Sequence, residues 1–268
     1  MNKQFMKTIR KWRKPIDWLD VALSWNVFTY PDWIQQQVEN KRLEKYNIEL
    51  AAGKKIWDSD LYRVDTMEIG DDFCKIKLWT MKWSQMFIVK FCQDLFDTVK
   101  EENFASGIAC AILLETVDGK FVFWVRNGNS AWKPWWDFAL IWWTLHPDEW
   151  IVDSYQWLYE HLMRELFEEI WVPASSIQEK KIVWIQRMQN GGIWFVYYMQ
   201  LHCSKDDVKM MFTQRTDDEM IDLYFVDRSS VQIFLHDYCF DNWVCTRTMW
   251  LCTEYIEEIF LNSGKNYI

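Results

Sequence analysis

The chain has 268 residues, half of them apolar and 26% charged, with a formal net charge of -9; this suits one large domain, or a catalytic domain with an N-terminal addition. No apolar run reaches the roughly 18 residues a membrane span needs, so no membrane partner is expected. The negative balance disfavours nucleic acid, although a polyanionic small molecule can be held where a divalent metal neutralises it. Seven cysteines, at 74, 92, 110, 203, 239, 245 and 252, include no C-x-x-C pair, so core thiols are expected rather than disulfides or a zinc knuckle. The basic start, "MNKQFMKTIRKWRKPIDW", is not followed by an apolar signal core, which points to a cytosolic protein. Typical glycine usage of about 7% would give roughly 19 glycines; the chain has 8, beside 20 tryptophans.

In chain order, an irregular start gives way to a polar helix opening at Pro31, "PDWIQQQVENKRLEKYN". The segments "LYRVDTMEI" and "CKIKLWTM" alternate apolar and polar residues across "GDD" and predict paired strands. Acidic "DTVKEEN" at 97 to 103 marks the candidate boundary between an accessory region, 1–103, and a main domain, 104–268. There "GIACAILLETV" reads as a buried strand, Asp118-Gly119 as a two-residue hairpin turn, and "KFVFWVRN" as the returning strand. A third apolar segment, "DFALIWW", follows Pro134.

From about Asp153 to Trp171 the spacing predicts a helix, with Leu158, Leu162, Leu166 and Ile170 in an i, i+4 stripe and Asp153 or Ser154 as its cap. Strands "EKKIVWIQRM" and "IWFVYYMQLHC" flank the turn "QNGG". Ser204 and Asp207 form a capping box for the helix "KDDVKMMF", "IDLYFV" is a strand, and helices at about 229 to 239 and 247 to 262 close the chain. Strand pairs interleaved with a few helices predict an α+β class, layered as an α/β/α sandwich on a mixed sheet.

On the helix "EHLMRELFEEIWV", Glu165, Glu168 and Glu169 fall within an arc of about 100° beside the leucine stripe. Three carboxylates so close repel one another, and hard oxygen donors of this kind suit Mg²⁺ or Mn²⁺. The competing reading is a charged outer face on which Arg164 pairs with Glu160 or Glu168 for a few tenths of a kcal/mol. The four histidines, 146, 161, 202 and 236, show no metal spacing, although His161 stands one turn before Glu165.

Upstream, "WWTLHPDE" sets Glu149 six residues after Trp143. With Arg164, Glu165, Leu166, Glu168, Glu169 and Val172, the series resembles the Nudix hydrolase box, G-x5-E-x7-R-E-U-x-E-E-x-G-U, where U is aliphatic. Two departures stand out: the spacer from Glu149 to Arg164 is fourteen residues rather than seven, and Trp143 and Trp171 occupy both glycine positions. Trp124, Trp135 and Trp142 likewise stand where similar sequences carry glycine. Glycine there supplies a positive φ or a close backbone approach, and a side chain costs about 1–2 kcal/mol at each such position. The pattern reads as an altered form of a natural sequence, or as an aromatic-rich relative with an adapted backbone.

The order of segments over residues 30 to 235 is similar to the UDP-sugar pyrophosphatase branch of that family. The resemblance implies hydrolysis of UDP-glucose or UDP-galactose, a small-molecule nucleotide sugar, to UMP and a sugar 1-phosphate, with Mg²⁺ or Mn²⁺ as cofactor. By the same resemblance Glu165, Glu168 and Glu169 are metal ligands, one of them doubling as base, and Arg164 orients them. "RTDDEMIDLYF" offers Asp217, Asp218 and Glu219 as a later acidic ligand, with Glu219 preferred. Arg126 is the candidate contact to pyrophosphate or sugar, since a guanidinium matches phosphate oxygens bidentately. Two alternatives share the same residues: a Nudix hydrolase of another nucleotide, such as ADP-ribose or NADH, and a catalytically silent nucleotide-binding module.

Overall fold

The computed structural model describes residues 6–14, 19–52, 59–71, 73–82, 85, 107–126, 138–139, 141–147, 155–188, 192–215, 220–231 and 233–234. The chain is α+β. Its elements are β1 (Met6–Lys14), β2 (Leu19–Val27), α1 (Asp32–Ala51), β3 (Asp60–Ile69), β4 (Cys74–Lys82), β5 (Ile108–Glu115), β6 (Lys120–Arg126), β7 (Phe138–Ala139), β8 (Ile141–Thr144), α2 (Tyr155–Ile170), β9 (Ile177–Met188), β10 (Ile193–Leu201), α3 (Lys205–Phe212) and β11 (Met220–Asp227). One sheet follows the order β1-β9-β10-β5-β6-β11, with β7 on β6 and β8 on β5; a second follows β2-β4-β3. Among the described residues no helix is long and apolar enough to cross a membrane.

The chain forms two compact units. The first comprises Met1–Cys110, Trp143–His161 and Trp184–Phe195. In it, β3 and β4 pair antiparallel, as their alternation predicts, and β2 adds to β4 in parallel. The expected irregular start is therefore corrected: β2 alternates too, with Leu19 and Val21 buried and Asp20 exposed between them. Helix α1 starts directly after Pro31, whose ring fixes φ at a value suited to a helix entrance, and buries Ile34 and Val38, one turn apart. Arg63, 7% exposed, lies over the rings of Phe28 and Trp79 at 4.5 and 5.9 Å, so its charge is held against aromatic faces. Leu145 bridges two segments, accepting from Tyr62 N and donating to Ile108 O, both at 2.9 Å. Burial pushes the Cys74 thiol up to about 12, which fits an inert core cysteine.

The second unit comprises Ala111–Trp142, Leu162–Val183 and Val196–Ile268. Its β5–β6 hairpin closes through a longer loop than the expected two-residue turn. Gly119 N donates to Thr116 O and Thr116 N to Lys120 O, leaving Val117, Asp118 and Gly119 in the loop. Gly119 takes φ 72°, the left-handed residue of a three-residue hairpin with a bulge. Asp118 instead accepts the Lys205 N–H at 3.0 Å, at the start of α3. That helix carries the predicted capping box of Ser204 and Asp207. In the "DFALIWW" segment, β7 pairs with β6 and β8 with β5. Trp124 is absorbed into the core at 1% exposure.

At the end of β5, Glu115 is 1% exposed. Tyr198 donates its hydroxyl to Glu115 Oε2 at 2.6 Å. Arg228 Nε lies 3.2 Å from Oε1, close enough for the charges to attract but off the line of a hydrogen bond. Burial pushes the Glu115 carboxyl above its ordinary range; Tyr198 and Arg228 oppose that rise, and nearby Glu179 adds to it.

Candidate functional site

Helix α2 carries Arg164, Glu165, Glu168 and Glu169, and its leucine stripe fixes how it presents its other faces. Leu158, Leu162, Leu166 and Ile170 are each 2% exposed or less, and burial of such side chains contributes about 1.5–3 kcal/mol apiece. With that stripe inward, the 3.6-residue pitch sets Glu165 and Glu169 at its margin, each 9% exposed. Glu168 stands on the outer face, its side chain 59% exposed. Arg164 lies between two of these carboxylates, with Nη2 3.5 Å from Glu165 Oε1 and Nε 3.8 Å from Glu168 Oε1. The predicted i, i+4 pairing of Arg164 with Glu168 is thus present, and Arg164 also reaches the more deeply buried Glu165.

The helix ends in an unusual way. Trp171 takes φ 62° and is the non-glycine with positive φ among the described residues. Its N–H donates to Phe167 O at 2.8 Å, satisfying one of the last carbonyls of the helix. Its ring stacks on Phe167 at 4.5 Å and 29°. A left-handed cap of this kind ordinarily carries glycine. Strain of about 1–2 kcal/mol is therefore offset by a stack contributing about 0.5–1.5 kcal/mol. The reversal lets the chain leave α2 with Val172 fully buried and enter the short 3-10 turn Ala174–Ser176 before β9.

Of the other residues singled out in the sequence, Arg126 ends β6 opposite Met220 on β11, and its side chain lies outside the described residues. Glu149, Asp217, Asp218, Glu219, His236 and the cap candidates Asp153 and Ser154 also lie outside them, as do the side chains of Trp142 and Trp143. His202 is exposed in the turn after β10. The histidine with the informative position is His146, whose ring meets that of His161 edge-on at 5.1 Å and 72°. His161, 2% exposed, precedes Glu165 by one helical turn. That i, i+4 relation is visible in the sequence. The approach of His146 is not, because no periodic pattern relates it to a helix that begins only at Tyr155.

No family model and no curated protein matches the chain. Solved structures do. Tm1382, a candidate Nudix hydrolase, aligns at TM-score 0.42 and 9% identity over 58% of this chain and 72% of its own. A Nudix hydrolase from Nitrosomonas europaea aligns at 0.38 and 15% over 60% of this chain and 92% of its own. The MutT protein from Methanosarcina mazei Go1 aligns at 0.31 and 16% over 47% of this chain and 80% of its own. At these TM-scores and identities nothing about the chemistry of this chain follows from the likeness.

Proposed function

We propose that the chain is a Nudix-type pyrophosphatase that hydrolyses a nucleoside diphosphate sugar, UDP-glucose or UDP-galactose, to UMP and a sugar 1-phosphate. On this reading residues 1–103 are an accessory region and 104–268 the hydrolase domain. The observation that carries it is the backbone at Trp171. A motif of the form R-E-U-x-E-E-x-G-U needs a left-handed residue directly after its helix, and this chain adopts φ 62° at that position although a tryptophan occupies it. Left-handed caps end many helices; what supports the reading is that this one falls at the motif's own glycine position, two residues after Glu169.

The donor set fits a hard divalent cation. Two carboxylates, Glu165 and Glu169, are buried one turn apart, with Glu168 within the same turn, and like charges at that spacing are unfavourable unless a cation offsets them. Glu165, Glu168 and Glu169, with Glu219, which precedes β11 in the sequence, would hold Mg²⁺ or Mn²⁺, which when bound neutralises diphosphate charge and acidifies a water. The remaining work falls to the chain. The buried stripe of α2 fixes the backbone that carries the glutamates, and Arg164 restrains Glu165 and Glu168. One glutamate accepts the proton of the attacking water, and Arg126 binds a phosphate oxygen of the substrate.

The test is UMP release from UDP-glucose by the full chain with Mg²⁺. Turnover is expected, and Glu169→Gln is expected to lower kcat by about 100-fold or more, the scale on which losing one preorganised electrostatic contribution to the transition state is felt. A folded protein that turns over neither UDP-sugars nor ADP-ribose, NADH, diadenosine polyphosphates or free nucleotides would refute the reading.

A further inference from the structure

The α2 glutamates are not the sole candidate ligands on that helix. Among the described residues, the ligating atoms of His146, His161 and Glu165 all lie within 4.8 Å of one another; Glu168 and Glu169 do not join this group. The boundary between the two units falls inside α2, after His161. The group therefore follows from one contact internal to the first unit, His146 on His161, and from the pitch of a single helix, which sets Glu165 one turn beyond His161.

We propose that His146, His161 and Glu165 form a binding site for a borderline transition ion, Zn²⁺ by the chemistry of its donors, which shares Glu165 with the Mg²⁺ set and so inhibits the hydrolase. Two imidazole nitrogens and one carboxylate oxygen make a set that favours Zn²⁺ over Mg²⁺, which prefers oxygen and retains water. Zn²⁺ holds such atoms at about 2.0–2.2 Å, which places them about 3.4 Å apart in a tetrahedral shell. The atoms start no more than 4.8 Å apart, so closing on the ion requires a shift of at most on the order of 1 Å, which His146, the least buried of the three, can supply by rotation. Three protein ligands leave a fourth position open. Glu165 cannot serve both sets at full strength, so occupancy of one weakens the other.

The inhibitory half of this inference rests on the pyrophosphatase reading; the binding half does not, and the experiment separates them. Zn²⁺ binding to the untagged full chain is measured without substrate, by competition with a chromophoric chelator, and Co²⁺ is used as a spectroscopic substitute. One strong site is expected. His146→Ala is expected to weaken binding at least about tenfold, since even residues that merely support a ligand contribute 10–100-fold, and to remove the Co²⁺ ligand-field bands. His146→Gln, which retains a polar side chain of similar bulk, carries the same expectation if the alanine variant fails to fold. Absent binding, or binding unchanged in the folded variant, overturns the site. Zn²⁺ binding with no turnover under Mg²⁺ leaves the site standing and overturns the pyrophosphatase reading. Turnover that Zn²⁺ inhibits in the parent protein but not in His146→Ala supports both.

Discussion

Two regions of the second unit solve the same problems by opposite means. Around the β5–β6 loop, the left-handed position is a glycine, Gly119 at φ 72°. Asp118 finds a backbone N–H at the start of α3, Lys120 pairs with Asp227, and the buried Glu115 is met by Tyr198 and Arg228. At the end of α2, the left-handed position is a tryptophan, and of three carboxylates within about one turn two, Glu165 and Glu168, face the same arginine, Arg164. Local rules agree where the chain is only folding, and they conflict where a ligand is expected to settle the account.

The first way to break that contrast is to remove the support of the loop region. Tyr198→Phe takes from Glu115 its hydroxyl donor, and loss of a hydrogen bond to a buried charged group costs about 1.5–3 kcal/mol. A lower urea midpoint with an unchanged slope is expected. No change in midpoint would show that Glu115 is not held by its neighbours after all.

Next come the two left-handed residues themselves. A Cβ built at Gly119 would meet Arg228 Cβ at 4.0 Å, an ordinary contact, so Gly119→Ala should lose only the backbone term, about 1–2 kcal/mol. At Trp171 the comparison is between two replacements. Both forfeit the stack on Phe167, but only glycine relieves the strain, so Trp171→Gly should exceed Trp171→Ala in stability by about 1–2 kcal/mol. Equal stabilities for the pair would mean that the positive φ at Trp171 is not maintained in solution. If Trp171→Gly also raises turnover, the indole obstructs the site and is no part of it.

The strands of the β3–β4 hairpin, helix α1, the stripe of α2 and the capping box of α3 were legible in the sequence because each is a local pattern, whether alternation, a fixed φ at Pro31 or a side chain returned to its own backbone. The positive φ at Trp171 was legible in a different way, through a motif whose glycine is missing. Strand β2 was overlooked because its alternation is short and its partner β4 lies about fifty residues on, where parallel pairing leaves no turn signal. The loop length at Gly119 was misjudged because Asp118 bonds to α3, a contact distant in sequence. The pairing of His146 with His161 was hidden for a related reason: one histidine is placed by the helix and the other follows β8, and no local pattern links the two.

The smallest expected effect concerns pH. Burial holds the Glu115 carboxyl above its ordinary value of 4.5, more than Tyr198 and Arg228 lower it. Between that ordinary value and the raised one, the folded chain binds a proton that the unfolded chain has released. The stabilisation from this proton is complete below the unfolded value and is lost as pH rises through the folded one. Glu115→Gln keeps an oxygen that can accept from Tyr198 and has no proton to lose, so this part of the pH dependence should disappear. Parent and variant should therefore converge in relative stability at acid pH and diverge toward neutral, with the glutamine protein gaining. Parallel pH profiles would place the Glu115 charge in a better-compensated setting than its burial implies, and would narrow the contrast with the glutamates of α2.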